Sequence, residues 1–240
     1  MPSPKPWVAV TATDDFPVSM TPVRAALRGV APIKTIPLPF SPIGEAEEFR
    51  FAKMLKGAAG MLLRPGYITP TLLDKLPDLR VVAVHGAGVD QVDVAACTER
   101  GVLVTNAPGA NADAVAELTL CLMVNLARKV AESAARVQAE RVWGEARHTG
   151  TELKGKTLGL VGIGQIGGRV TGMAKAFGMK VCAHDPGLST TDIRALGARP
   201  MTLDALLGAS DYVSLHAPHI PATHHMINRK AFGAMKKGAF

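Results

Sequence analysis

The chain has 240 residues, 48% of them hydrophobic and 5% aromatic, with a formal net charge of +7; this is enough for one large or two ordinary domains with real cores. The 27 Lys and Arg residues are scattered singly and in pairs, with no basic stripe interleaved with aromatics, so no nucleic-acid partner is expected. No apolar run approaches the roughly 18 residues of a membrane span or forms a leader at the start, and Cys97, Cys121 and Cys182 stand far apart outside any CxxC pair, which argues against a membrane partner, a disulfide framework and a thiolate zinc site, and for a cytoplasmic protein.

The period of the sequence keeps switching between short apolar runs and amphipathic stretches. "WVAVTA" reads as a buried strand, followed by a helix in "TPVRAALRG" with Thr21 as its cap, Pro22 at its first position and Gly29 as its stop. The alternation continues through strand "IKTIPLP", helix "GEAEEFRFAKMLKGA", strand "AGMLLR", helix "TPTLLDKLP", strand "RVVAVHG", helix "DVAACTER" and strand "VLVTN". Such alternation implies a parallel sheet covered on both faces. "NAPGAN" (106–111) breaks the rhythm, and one long Ala/Leu-rich helical region is expected over 113–142 before a second alternation starts at "GTELKGK". The fold class is therefore α/β with two doubly wound parallel-sheet lobes, 1–106 and 107–240, hinged near 106–111.

The strongest local signal is "KTLGLVGIGQIGGRV". A strand over 157–161 runs into Gly162-Ile163-Gly164-Gln165-Ile166-Gly167, and a helix follows. Gly162 would allow the tight turn, Gly164 would let backbone approach a pyrophosphate, and Gly167 would let helix and strand pack closely, with helix N–H groups holding the anion. A second strand, "KVCAHD", ends in Asp185, 23 residues after Gly162, where an acid can accept from the ribose hydroxyls. Asp185 would repel a 2′-phosphate and no arginine follows it, so NAD is preferred to NADP.

Together with "PDLRVVAVHGAGVDQVDVAACTERGVLVTNAPGANADAVAELTLCLMVNLAR" and "SDYVSLHAPHIPATHHMINRKAFGAMKKGAF", this loop resembles the D-2-hydroxyacid dehydrogenase family. The resemblance covers nearly the whole chain. It implies a flavodoxin-like substrate lobe, a Rossmann lobe for NAD, a small 2-hydroxy or 2-keto acid of the phosphoglycerate, hydroxypyruvate or glyoxylate kind, and a homodimer through the 113–142 helical region. It also implies that backbone N–H groups of Gly86, Ala87 and Gly88 take the substrate carboxylate, with Asn111 nearby. Gly162, Gly164, Gln165, Ile166, Gly167, Asp185, His216, Ala217, Pro218 and Thr223 would surround the cofactor. Ala114 stands where the family usually has Ser before "VAE", and Asp113 is the candidate cap of that helix.

His216, His219, His224 and His225 crowd ten residues, but with no helical i, i+4 pair and no nearby carboxylates they do not suggest a metal. Pro218-His219 mimics the Pro-His of the family's catalytic histidine, yet lies upstream of where that segment comes. The family's arginine, glutamate and histidine segments all follow the strand that begins at "GAF". No catalytic residue is therefore expected within 1–240, and the chain is expected to be truncated and inactive by itself. The Rossmann lobe would then be incomplete, keeping strands up to the fourth of the order 3-2-1-4-5-6 and leaving "DYVSL" an unprotected edge. The competing class is a non-enzymatic NAD(H)-sensing module like the corepressors of the same family.

Overall fold

The computed structural model describes residues 6–141 and 149–240, and the chain divides into two compact units between Ala110 and Asn111. Val142, the last residue of the expected long helix, lies outside the described residues.

The first unit contains β1 (Trp7–Thr11), α1 (Met20–Ala26), β2 (Ile33–Ile36), α2 (Glu45–Leu55), β3 (Ala58–Leu63), α3 (Pro70–Leu73), β4 (Val81–Val84), α4 (Val94–Glu99) and β5 (Leu103–Thr105). Its five strands are all parallel in the order β2-β1-β3-β4-β5, the flavodoxin-like winding. Ala9, Leu38, Leu55, Leu63, Leu72 and Val82 are wholly buried in one core, and each such Leu contributes about 1.5–3 kcal/mol. Local chemistry sets the helix starts. Thr69 accepts from Leu72 N–H at 3.1 Å ahead of Pro70, and Asp93 accepts from Ala96 N–H at 2.8 Å. Thr21 is not the cap of α1. Ser19 occupies that position, without a side-chain bond, so Thr21 is already helical and Pro22 is the third helical residue, not the first; Gly29, at φ 73°, ends the turn as expected.

The second unit contains α5 (Ala112–Arg128), α6 (Val130–Glu140), β6 (Thr157–Val161), α7 (Gln165–Ala176), β7 (Lys180–His184), α8 (Thr190–Ala195), β8 (Arg199–Pro200), α9 (Leu203–Ala209), β9 (Tyr212–Leu215) and α10 (Arg229–Ala234). Its parallel strands run β8-β7-β6-β9, the first four positions of the doubly wound order. β6 shows why these strands read as unbroken apolar runs. Leu158 and Leu160 point into a core shared with α5 and α7, while Val161 points into a second core with Leu206 and Leu207 of α9. Gly159 is glycine because a Cβ there would collide with Ser210 Oγ and lie 2.6 Å from Leu206 Cδ2.

The long helix is two helices. Lys129 takes the left-handed conformation, φ 51°, and separates α5 from α6. The cause is tertiary. Thr151 N–H donates to Ala127 O at 2.7 Å, taking the carbonyl that Ala131 N–H would reach in a continuous helix, and the returning chain packs there through Gly150, whose Cβ would collide with Ala127 O. The free edge of β9 is also less bare than expected. Phe240 donates to Asp211 O at 3.0 Å, accepts from Val213 N–H at 2.9 Å and stacks its ring on Tyr212 at 5.2 Å; Leu215, farther along, is exposed. No helix among the described residues is long and apolar enough to cross a membrane.

Candidate functional site

In the second unit, β6 delivers the chain into Gly162, whose φ of 89° only glycine adopts without strain. Its N–H donates to His184 O at 2.8 Å, and a Cβ would lie 2.7 Å from the carbonyl carbon of His216. Gly167 is packed as tightly, its virtual Cβ 2.5 Å from Gly162 O. Gly164 is different. It is the N-cap of α7, offers no side chain to the first turn, and has nothing within 4 Å of a virtual Cβ. Gly164 and Gln165 are exposed, so the N-terminus of a twelve-residue helix opens beside free space, the arrangement that holds a phosphate.

Asp185 follows β7 directly. Its Oδ2 accepts from Ile163 N–H at 3.0 Å and its Oδ1 from Gly187 N–H at 3.0 Å. The carboxylate therefore shapes the glycine loop, and each oxygen keeps a lone pair for a hydroxyl donor. His216 ends the neighbouring strand, its N–H donating to Val161 O at 2.7 Å and its Nε2 bonded to Ser214 Oγ at 2.9 Å. Burial pushes the His216 imidazolium pKa below its ordinary value, which favours the neutral ring. Beyond it, Thr223 closes the loop that carries Ala217 and Pro218, donating to Pro218 O at 2.6 Å and accepting from Ile220 N–H at 3.0 Å. The cofactor residues named from sequence thus lie at the carboxyl ends of β6, β7 and β9, where ligands bind in open α/β sheets.

In the first unit, Gly86, Ala87 and Gly88 follow β4. The carbonyls of this turn are engaged, Gly86 O with Ala107 N–H at 2.9 Å and Ala87 O with Asn106 Nδ2 at 2.6 Å. Its three amides donate to no other described residue. Neutral donors held in place with nothing to bind are suited to a carboxylate. Asn111 belongs to the second unit, at the N-cap of α5, where it is exposed and makes no capping bond.

The family profile for the NAD-binding domain of D-isomer-specific 2-hydroxyacid dehydrogenases matches residues 120–240. The chain belongs to the D-isomer-specific 2-hydroxyacid dehydrogenase family. It is 41% identical over 171 residues to a hydroxypyruvate reductase of Thermotoga maritima, covering 71% of this chain and 55% of that one. With a D-3-phosphoglycerate dehydrogenase of Methanocaldococcus jannaschii it shares 38% identity over 187 residues, 77% of this chain and 36% of the other. The chain thus spans only part of the length of these relatives. A D-lactate dehydrogenase from Aquifex aeolicus, solved with NAD and lactic acid, superposes with a TM-score of 0.80 at 30% identity, over 95% of this chain and 66% of that one. NAD is the cofactor of the second unit.

Two features of these lobes escape a reading of the sequence. Asp113 does not cap α5; it pairs with Arg169 of α7, whose Nη1 also donates to Gln165 Oε1 at 3.0 Å and Gln165 O at 2.7 Å. The i, i+4 spacing of Gln165 and Arg169 was the available signal. In the first lobe, Arg64 follows β3 with its Nε buried and unbonded, while Nη1 lies 3.5 Å from His85 O beside the glycine turn. An arginine closing an apolar strand, as in "AGMLLR", was the clue.

Proposed function

We propose that the protein interconverts a D-2-hydroxy acid and its 2-keto acid with NAD(H), on a phosphoglycerate-, hydroxypyruvate- or glyoxylate-like substrate. The observation that carries this reading is the Gly86-Ala87-Gly88 turn, where Gly86 O and Ala87 O are tied down while the three amides donate to no other described residue. These amides would bind the substrate carboxylate, and Arg64 adds positive charge beside them. In the second unit, Gly164 and the first turn of α7 would take the pyrophosphate, Asp185 the adenosine ribose, and the 216–223 loop the nicotinamide-side ribose. Bound NADH supplies the hydride. Asp185 favours NAD because a 2′-phosphate would meet its charge.

The protomers would pair through α5 and α6. Leu118, Leu122 and Leu126 repeat every fourth residue along α5 and are each about half exposed, and a groove of about 360 Å³ lined by Leu120, Cys121, Val124, Asn125, Val130 and Phe177 adjoins them. A cytoplasmic location is supported by Cys97, Cys121 and Cys182 all being free thiols. The test is NADH oxidation by the product of the whole reading frame with glyoxylate, hydroxypyruvate, pyruvate and phosphohydroxypyruvate, followed by chiral analysis of the glycerate, lactate or phosphoglycerate formed, glycolate having no stereocentre. A D-configured product is expected, and an L-product or no turnover with any of the four overturns the assignment.

A further inference from the structure

The loop after β9 folds on itself. Thr223 N–H and His224 N–H both donate to Ile220 O, at 2.9 and 3.0 Å, and the Thr223 hydroxyl ties Pro218 to Ile220. This closed turn brings two exposed imidazoles together, with His224 Nδ1 3.5 Å from His219 Nε2. His225, held at φ 55°, stacks its ring on that of His224 with centroids 3.8 Å apart. The 3.5 Å separation is long for a hydrogen bond. It matches the spacing of two nitrogens on one tetrahedral ion, about 3.4 Å for metal–nitrogen bonds of about 2.0–2.1 Å.

We propose that His219 and His224 form a two-imidazole site for a divalent transition ion of the Zn²⁺ type, with its remaining positions open to water. Residues 212–240 include neither Asp nor Glu, so the donor set is purely nitrogen, which selects zinc, nickel or copper over calcium or magnesium. Two protein donors make a weaker site than the three or four of a permanent centre, so occupancy would follow free metal. Because the two histidines bracket Thr223, an ion between them staples the 218–224 turn shut. His219 belongs to the 216–223 loop proposed for the nicotinamide-side ribose, but zinc titration without dinucleotide reads the ion site independently of that assignment.

The experiment is calorimetric titration of the tag-free 1–240 chain with Zn²⁺ alone, beside His219→Gln, His224→Gln and Cys121→Ser. One zinc per chain is expected, with affinity falling at least tenfold in either histidine variant and unchanged in Cys121→Ser. Histidine-ring nitrogen spectra should shift on zinc for residues 219 and 224, and they read the site directly even where a variant folds poorly. Equal binding by the wild type and both histidine variants, or loss of binding in Cys121→Ser, overturns the proposal.

Discussion

A Cβ on Gly162 would sit 2.7 Å from the carbonyl carbon of His216 and 2.8 Å from Ala217 N, so the ends of β6 and β9 meet with room only for hydrogen between them. The glycines of the loop therefore divide by physical duty. Gly162 and Gly167 are fixed by the protein's own backbone, whereas Gly164 is fixed by nothing in the protein.

Substitution should separate these duties. Gly162→Ala meets both a left-handed φ and a backbone collision, and Gly167→Ala meets Gly162 O at 2.5 Å, so each should destabilise by about 1–3 kcal/mol. Gly164→Ala, with open space at its Cβ and φ −72°, should stay within about 0.5 kcal/mol of wild type. Yet it should weaken NADH roughly tenfold or more, because the methyl fills the space the pyrophosphate would use. Thermal melts and NADH titrations of the three variants decide the matter. Unchanged NADH binding in a folded Gly164→Ala would remove the helix N-terminus as the pyrophosphate site.

Asp185 is expected to set cofactor choice. Asp185→Ala removes charge-assisted hydrogen bonds of about 1.5–3 kcal/mol, roughly 10- to 150-fold in NAD affinity, while NADP should lose much less. The same variant leaves Ile163 N–H and Gly187 N–H without their acceptor, so some melting temperature is lost as well. The ratio of NAD to NADP affinity is thus the informative quantity. An equal loss for both dinucleotides would make Asp185 purely a loop-shaping residue.

The strands and the glycine loop were legible because each depends on a few adjacent residues. A strand buried on both faces needs an apolar run such as 158–161, and a left-handed turn needs glycine. The break at Lys129 was not legible, since lysine is a good helix former and the cause is Thr151, far along the chain, bonding Ala127. Asp113 looked like a cap because carboxylates favour first turns, but the competing partner, Arg169, is brought by the tertiary fold. The amides of 86–88 were singled out by the family resemblance, with which small residues that permit close backbone approach agree; the buried Nε of Arg64 was not, because burial of one atom is set by packing.

Two titrations should shape stability in separate pH windows. Burial lowers the folded pKa of His216 below 6.5, so the unfolded chain takes a proton first as pH falls, and stability declines from about pH 6.5 downward. His216→Gln should flatten that decline. Asp211 behaves oppositely in origin. Burial alone would raise its pKa, but Thr157 N–H at 2.8 Å and Lys236 Nζ at 3.0 Å outweigh it and hold the carboxyl below its ordinary range. Its contribution is present above about pH 4 and lost below, as the carboxylate protonates. Denaturant midpoints from pH 3 to 8 for wild type, His216→Gln and Asp211→Asn provide the check; a pH profile of His216→Gln identical to wild type would contradict the burial argument.

Cys121 reports on pairing through α5. Cys97 and Cys182 are buried, and burial raises both thiol pKa values, so they should react slowly. Cys121 is exposed on the apolar groove. At submicromolar chain it should be labelled fast by a disulfide reagent, and at high concentration it should become protected as the α5 face is covered. Leu122→Glu should abolish that protection and leave a monomer by sedimentation. Rapid labelling at every concentration would place any dimer contact elsewhere.

The residues 1–240 by themselves should bind dinucleotide without turning over substrate. Reducing a 2-keto acid requires an acid/base whose pKa is tuned and whose ring is oriented by a carboxylate. Among the described residues no histidine is hydrogen-bonded to a carboxylate: His216 is bonded to Ser214, His219 and His224 face each other, and His184 meets Met201 O. His216 also has its basicity reduced by burial, which leaves little imidazolium at neutral pH to deliver a proton. Binding that is equally strong for ground and transition states does not become rate. Purified 1–240 should therefore quench or enhance NADH fluorescence on titration yet oxidise no NADH with glyoxylate, hydroxypyruvate, pyruvate or phosphohydroxypyruvate. Steady turnover by this chain, lost in His216→Gln with NADH binding retained, would make His216 the proton donor and overturn this prediction.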